Sequence, residues 1–98
     1  MYFPELKEKV VLVIGAFQGI GKSVVETFQK EEATVIACDI AFEEVKLTKS
    51  ATDFYKIHLD ISEEEEVIQL AQQLEEKQLV PDVLVHVAGI STVDFLTE

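Results

Sequence analysis

Three glycines, two aspartates and a closing Ala-Gly are the residues whose types and spacing can do chemistry in this chain. Gly15, Gly19 and Gly21 stand in Gly15-Ala16-Phe17-Gln18-Gly19-Ile20-Gly21, directly after the apolar run Val10-Val11-Leu12-Val13-Ile14. A strand, a glycine-rich turn and a helix start make a cradle for an anionic group. The turn brings backbone close to the ligand, and the helix N-terminus presents unpaired N–H groups. Gly15 suits the tight turn, Gly19 the close approach of backbone to ligand, and Gly21 the packing of helix against strand. The expected ligand is the pyrophosphate of a dinucleotide, with contacts at Gly15, Gly19 and Ile20. The G-x-x-x-G-x-G spacing departs from the general G-x-G-x-x-G fingerprint, so the glycines alone leave an ordinary strand-to-helix loop open.

Asp39 ends the next apolar run, 18 residues after Gly21. That is near the ~20 residues expected for an acid that accepts hydrogen bonds from ribose hydroxyls. Such a carboxylate would repel a 2′-phosphate, and no lysine or arginine lies in the glycine turn or beside Asp39 in sequence. NAD is therefore expected rather than NADP; a plain solvated aspartate is the alternative. Asp60 closes a third run, where it is expected to meet the adenine edge or simply to start a helix with Ile61 and Ser62. His58 and His86 have no ligand-spaced partners within their own elements and read as packed or partly solvated, so no metal is expected. Cys38 lies in an apolar stretch and reads as an inert buried thiol. Phe42, Phe54, Tyr55 and Phe95 read as core or cover. Tyr55 has no Tyr-x-x-x-Lys context and is not read as a catalytic acid.

The elements that would position these residues follow from periodicity. Val10 to Ile14 reads as a strand buried on both faces. Ile20, Val24, Val25 and Phe28 fall at helical spacing, predicting an amphipathic helix from about Gly19 to Glu31. Thr34 to Cys38 reads as a second strand, Ala41 to Thr48 as a short helix, and Phe54 to Leu59 as a third strand. Ser62-Glu63-Glu64-Glu65 fits a capping box. Val67, Leu70, Ala71 and Leu74 then give a helix one apolar stripe. Pro81-Asp82 introduces a fourth strand, Val83 to Val87. Apolar strands alternating with helices predict an α/β fold with a parallel sheet covered on both faces. Right-handed crossovers then give the strand order 3-2-1-4. Every candidate residue falls at the carboxyl ends of the strands, around the switch point.

Ninety-eight residues suit one domain, and 48% apolar content supplies a core. The net charge of −11 argues against nucleic acid or an anionic membrane as partner. The run Glu63 to Glu66, with Glu75 and Glu76, reads as a solvated helix face, with an acidic docking surface as the sharper alternative. A single cysteine excludes an internal disulfide and points to a reducing cytoplasm. Met1 to Lys9 lacks a signal-peptide core, and no apolar run approaches the ~20 residues of a membrane span. A cytoplasmic protein is expected.

Taken together, Gly15 to Gly21, Asp39, Asp60-Ile61 and Leu84-Val85-His86-Val87-Ala88-Gly89 resemble the N-terminal half of the short-chain dehydrogenase/reductase family. The resemblance implies a Rossmann-type fold, with residues 1–98 as the N-terminal half of its dinucleotide-binding domain. It also implies cofactor contacts at Gly15, Gln18, Gly19, Ile20 and Gly21, at Asp39 and Ile40, at Asp60 and Ile61, and at Val87, Ala88 and Gly89. Family motifs usually read T-G-x-x-x-G-I-G and N-N-A-G, so Ile14 stands for a threonine, and His86 and Val87 for two asparagines. Within the family, Cys38-Asp39-Ile40-Ala41-Phe42 and Val85-His86-Val87-Ala88-Gly89-Ile90 look like the 2,3-dihydro-2,3-dihydroxybenzoate dehydrogenases of siderophore biosynthesis. That likeness implies NAD-dependent oxidation of a ring diol to a catechol, with a small-molecule substrate and a homo-oligomer. The family's serine and Tyr-x-x-x-Lys pair do not occur in these 98 residues, so no catalytic residue is assigned. The alternative is a non-catalytic half-domain that binds nucleotide, or that pairs with another chain through an uncovered fourth strand.

Overall fold

A run of five apolar residues can be buried only if both faces of its strand are covered, and that is how this chain folds. The computed structural model describes residues 6–88 and 92–95, with Ala88 and 92–95 described as backbone alone. In chain order the elements are β1 (Val10–Ile14), α1 (Gly19–Lys30), β2 (Thr34–Asp39), β3 (Thr48–Ala51), β4 (Phe54–His58), α2 (Glu64–Glu76), β5 (Val83–Ala88) and β6 (Thr92–Phe95). They form one sheet in the order β3-β4-β2-β1-β5-β6. The central four, β4-β2-β1-β5, are parallel, which is the expected 3-2-1-4 arrangement.

The period-2 alternation of the strands sorts the core into two layers. Val11, Val13, Val35, Ala37 and Val85 pack on one face with Val25 of α1. Leu12, Ile36, Cys38 and Ile57 pack on the other with Leu70 and Leu74 of α2. The crossover through α1 runs from β1 to β2, and that through α2 returns from β4 to β5 beside β1. The chain thus reverses direction at β1, and the crevice between the carboxyl ends of β1 and β5 is the switch point where ligands bind in such sheets.

Four expectations need correction. Residues 41–47 form no helix, because Phe42 packs in the α1 layer while Leu47 is buried in the α2 layer. Val45 between them is 82% exposed. A two-turn helix has one apolar face and cannot serve both layers, so the segment passes irregularly from one layer to the other and leads into β3. The capping box is also displaced. The N-cap of α2 is Glu63 without a side-chain cap bond, and it is Glu66, not Glu65, that reaches back, accepting the N–H of Asp60 at 2.9 Å. Of the expected stripe on α2, Leu70 and Leu74 are buried, while Val67 and Ala71 are exposed. Finally, β5 is no edge: β6 pairs with it antiparallel, Val85 opposite Phe95 and Ala88 opposite Thr92. The side chain of Phe95 lies outside the described residues.

Candidate functional site

Gly15 leaves β1 with φ +92°, and its N–H and that of Ala16 both donate to the Cys38 carbonyl, at 2.8 and 3.1 Å. The glycine turn is therefore tied to the end of β2. A Cβ at Gly15 would lie 2.8 Å from the Val87 carbonyl oxygen of β5, and one at Gly21 would overlap the Gly15 carbonyl. Gly21 packs the first turn of α1 onto the turn, as expected. Gly19 differs: it has φ +63° and nothing within 4 Å of where a Cβ would be. The N-cap Gln18 makes no side-chain bond to the helix, and the first turn holds no acidic residue. The opening N–H groups of α1 have no intrahelical acceptors, and the space beside the backbone at position 19 is open. That is a fitting cradle for a pyrophosphate.

Asp39 closes β2 beside this turn. One carboxylate oxygen accepts the N–H of Phe17 at 3.0 Å and the other that of Ala41 at 2.9 Å. Each oxygen keeps a free lone pair for a hydroxyl donor. Ile14, Gly15, Asp39, Ile40, Leu59, Asp60, Ile61 and His86 line one hollow of about 220 Å³. The structure thus brings together Gly15, Asp39, Ile40, Asp60 and Ile61, with Ile40 and Ile61 exposed in it at 60% and 46%. Gln18, Gly19, Ile20 and Gly21 form the adjoining helix start. Val87 backs Gly15, and Ala88 ends β5. Gly89 lies outside the described residues.

The comparisons with known proteins bear directly on this geometry. Residues 9–98 match the family described as short chain dehydrogenase. The chain belongs to that family. A 3-oxoacyl-(acyl-carrier-protein) reductase of Thermotoga maritima is 37% identical over 93 residues, covering 88% of this chain and 37% of the relative. Among solved structures, a short-chain dehydrogenase of Leptospira borgpetersenii with bound NAD+ superposes with a TM-score of 0.75 at 31% identity, over 89% of this chain and 34% of that one. The Pseudomonas aeruginosa protein RhlG, in an NADP active-site complex, gives 0.69 at 29% identity, over 90% of this chain and 38% of that one. The chain spans about a third of the length of the curated relatives it matches.

In this member of the family, the Asp60 carboxylate is engaged locally, accepting the Ser62 hydroxyl at 2.6 Å and the Ser62 N–H at 3.0 Å. Those bonds hold its carboxyl below the usual carboxylate range. Cys38 is fully buried, and burial, with Asp39 adding to it, pushes its thiol up to about 12. A neutral thiol at that depth is a packing residue. The departures from the family motifs also prove to be neighbours: Ile14 and His86 are paired in register on β1 and β5 and share the hollow.

Sequence reasoning missed two features. His86 lines the hollow, a placement set by the β1–β5 register rather than by any motif. Lys56, in register with Ala37 on β2, shares a cavity of about 200 Å³ with Phe17, Lys22 and Phe42. Lys56, a cation that the sequence places far from the glycine turn, thus shares a cavity with Phe17. The Lys56 ammonium sits 5.5 and 5.8 Å from the ring centres of Phe42 and Phe54, within cation–π range. The signal that could have found it is a lysine inside a strand otherwise made of apolar and aromatic residues.

Proposed function

We propose that this chain forms the cofactor-binding part of an NAD-dependent short-chain dehydrogenase. The observation that carries the proposal is the Asp39 carboxylate, fixed at the end of β2 by two backbone N–H groups and sharing a hollow with Gly15. A bound nicotinamide dinucleotide would supply the hydride acceptor. The chain's own part is to hold and orient it. The first N–H groups of α1 would meet the pyrophosphate over the bare Cα of Gly19, and the free lone pairs of Asp39 would meet the ribose hydroxyls. Ile40 and Ile61 offer apolar surface to the adenine. A 2′-phosphate at that point would face the Asp39 charge, which favours NAD over NADP; relatives with either cofactor share the fold.

Calorimetric titration with both nucleotides tests this. NAD is expected to bind at least about tenfold more tightly than NADP, a difference of about 1.4 kcal/mol, and Asp39→Asn to narrow the gap. A clear preference for NADP, or no binding of either, would overturn the reading.

For the substrate we extend the proposal to 2,3-dihydro-2,3-dihydroxybenzoate, oxidised to 2,3-dihydroxybenzoate with hydride passing to the nicotinamide and a proton to a base. Its support is the likeness of Cys38 to Phe42 and of the Val85 stretch to that group of siderophore enzymes. A cytoplasmic homo-oligomer goes with it, and no helix among the described residues is long and apolar enough to cross a membrane. The protein is incubated with NAD and the diol while NADH fluorescence is followed. NAD binding without NADH formation favours the second reading, a nucleotide-binding half-domain. Its chain-pairing variant loses its motive, because β6 covers β5.

A further inference from the structure

We propose that His58 is a positioning residue for the cofactor, clamping together the two loops that flank the nucleotide hollow; the inference rests on the nucleotide reading above. Its ring stands between those loops. Nδ1 lies 3.1 Å from the Phe42 carbonyl oxygen, and Nε2 lies 3.6 Å from Oε1 of Glu66. That same Glu66 oxygen accepts the N–H of Asp60 at 2.9 Å. A continuous path therefore runs from the Phe42 carbonyl through the imidazole and the Glu66 carboxylate to the Asp60 amide. The backbone adds to it: the His58 N–H donates to the Glu44 carbonyl at 2.6 Å, and the Leu59 N–H to the Asp39 carbonyl at 3.1 Å.

The two loops held this way carry Asp39 with Ile40 and Asp60 with Ile61, and all four residues line the same hollow. Cofactor binding requires both walls in place at once. A ligand bound between two walls gains affinity when something else has already ordered them. His58 is that fastener, although it lines no part of the hollow itself.

Its chemistry makes the fastening sensitive to protonation. Both groups facing the ring, the Phe42 carbonyl and the Glu66 carboxylate, are acceptors. A neutral imidazole has one N–H and can serve one of them, turning a lone pair toward the other. Only the doubly protonated ring donates to both. The charged groups around it are Glu66 on α2, Asp60 two residues on, and Asp39 in register with it on β2, while Glu44 of the crossing segment meets it through a backbone carbonyl. The clamp is complete with the ring charged and half-made with it neutral.

The test is NAD affinity as a function of pH, by calorimetry, for the full chain and two variants. NAD affinity of the unaltered chain is expected to fall about three- to tenfold between about pH 5 and about pH 8. His58→Phe fills the same space without donors, and is expected to bind weakly at every pH with no slope across that range. Glu66→Gln keeps an acceptor for the Asp60 N–H, removes the charge facing the ring, and is expected to flatten the slope while folding normally. The clamp is refuted if either folded variant keeps both the affinity and the slope of the unaltered chain. Amide NMR separates this from failure of the nucleotide reading. Without any nucleotide, the Glu43 and Asp60 amide signals should move in step with the His58 ring signal, and independent movement refutes the clamp. Absence of NAD binding at every pH, with the amides moving together, overturns the nucleotide reading instead.

Discussion

The two ends of the parallel strands use the same unusual backbone conformation for opposite purposes. At the carboxyl ends, the residues with positive φ are Gly15 and Gly19. At the amino ends they are Glu8, Glu32, Asp53 and Gln78, each exposed and one standing shortly before each of β1, β2, β4 and β5. A left-handed residue reverses the chain into a strand, and any side chain can do this at a cost of about 1–2 kcal/mol. At the amino ends nothing needs the space beside the backbone, so polar side chains remain. At the carboxyl ends the space itself is the requirement. It is filled by protein at Gly15 and Gly21 and left open at Gly19. The difference separates glycines that build the turn from the one left beside open space, which the proposed cofactor would use.

Substitution by alanine should break this contrast most visibly at Gly21. A Cβ there overlaps the Gly15 carbonyl, and backbone cannot yield as a flexible side chain would. Gly21→Ala is expected to lose about 3 kcal/mol of stability, measured by denaturant unfolding, and to abolish nucleotide binding. Gly19→Ala is expected to do something different. Its left-handed strain is partly offset by the lower entropy of the unfolded chain, leaving a loss of about 0.5–1 kcal/mol. NAD affinity should nevertheless drop at least about tenfold, because the methyl group occupies the anion's space. If Gly19→Ala bound nucleotide normally, the open space above it would not be the ligand's.

Much of this was legible in the sequence, and what was not has a common cause. Runs such as Val10 to Ile14, buried on both faces, announce themselves by composition, and the 3-2-1-4 order follows from handedness once four such strands alternate with helices. The packing parts of Gly15 and Gly21, and the place of Asp39 beside the glycine turn, followed from their positions at strand ends. The hidden parts were those whose stabilisation comes from across the sheet. β3 is Thr48-Lys49-Ser50-Ala51, exposed throughout, and it is a strand only because β4 offers it an edge. Residues 41–47 carry a helix-like pattern whose apolar residues serve different layers. His58 and His86 looked isolated because their partners, Glu66 and Ile14, belong to other elements.

The contrast between the strand ends also predicts where pH should act. At the carboxyl ends, carboxylates hold loops by accepting backbone N–H groups: Asp39 from Phe17 and Ala41, Asp60 from Ser62. The Asp60 carboxyl is held below its ordinary value, chiefly by the Ser62 hydroxyl and then by the Ser62 N–H. A group whose folded value is depressed stabilises the fold above its unfolded value, about 3.9, and that contribution disappears as pH falls through the folded value. Ser62→Ala removes the larger of the two bonds. It is expected to move the Asp60 carboxyl upward, so that the carboxyl signal followed by NMR titrates at higher pH, with the 60–62 loop loosening earlier on acidification. An unchanged Asp60 titration would show that the serine hydroxyl does not hold it.

The smallest effect is expected at the amino ends, where it has the opposite sign. Gln78 follows the last turn of α2, and the helix ends with Leu79 N–H donating to the Leu74 carbonyl at 2.8 Å and Gln78 N–H to the Glu75 carbonyl at 3.1 Å. That is the helix ending in which a left-handed residue is usually glycine. Gln78→Gly relieves the strain of φ +59°, loses some of the gain to unfolded-chain entropy, and should stabilise by about 0.5–1 kcal/mol. For a domain of this size that raises Tm by about 2–6 °C in a calorimetric scan. Glu32→Gly, at the same place after α1, should gain less, because the exposed Lys7–Glu32 pair at 3.6 Å goes with it. NAD affinity should be unchanged in both. A glycine that stabilises at one end of the strands and is indispensable to binding at the other would confirm that the conformation is shared and only the space beside it is functional.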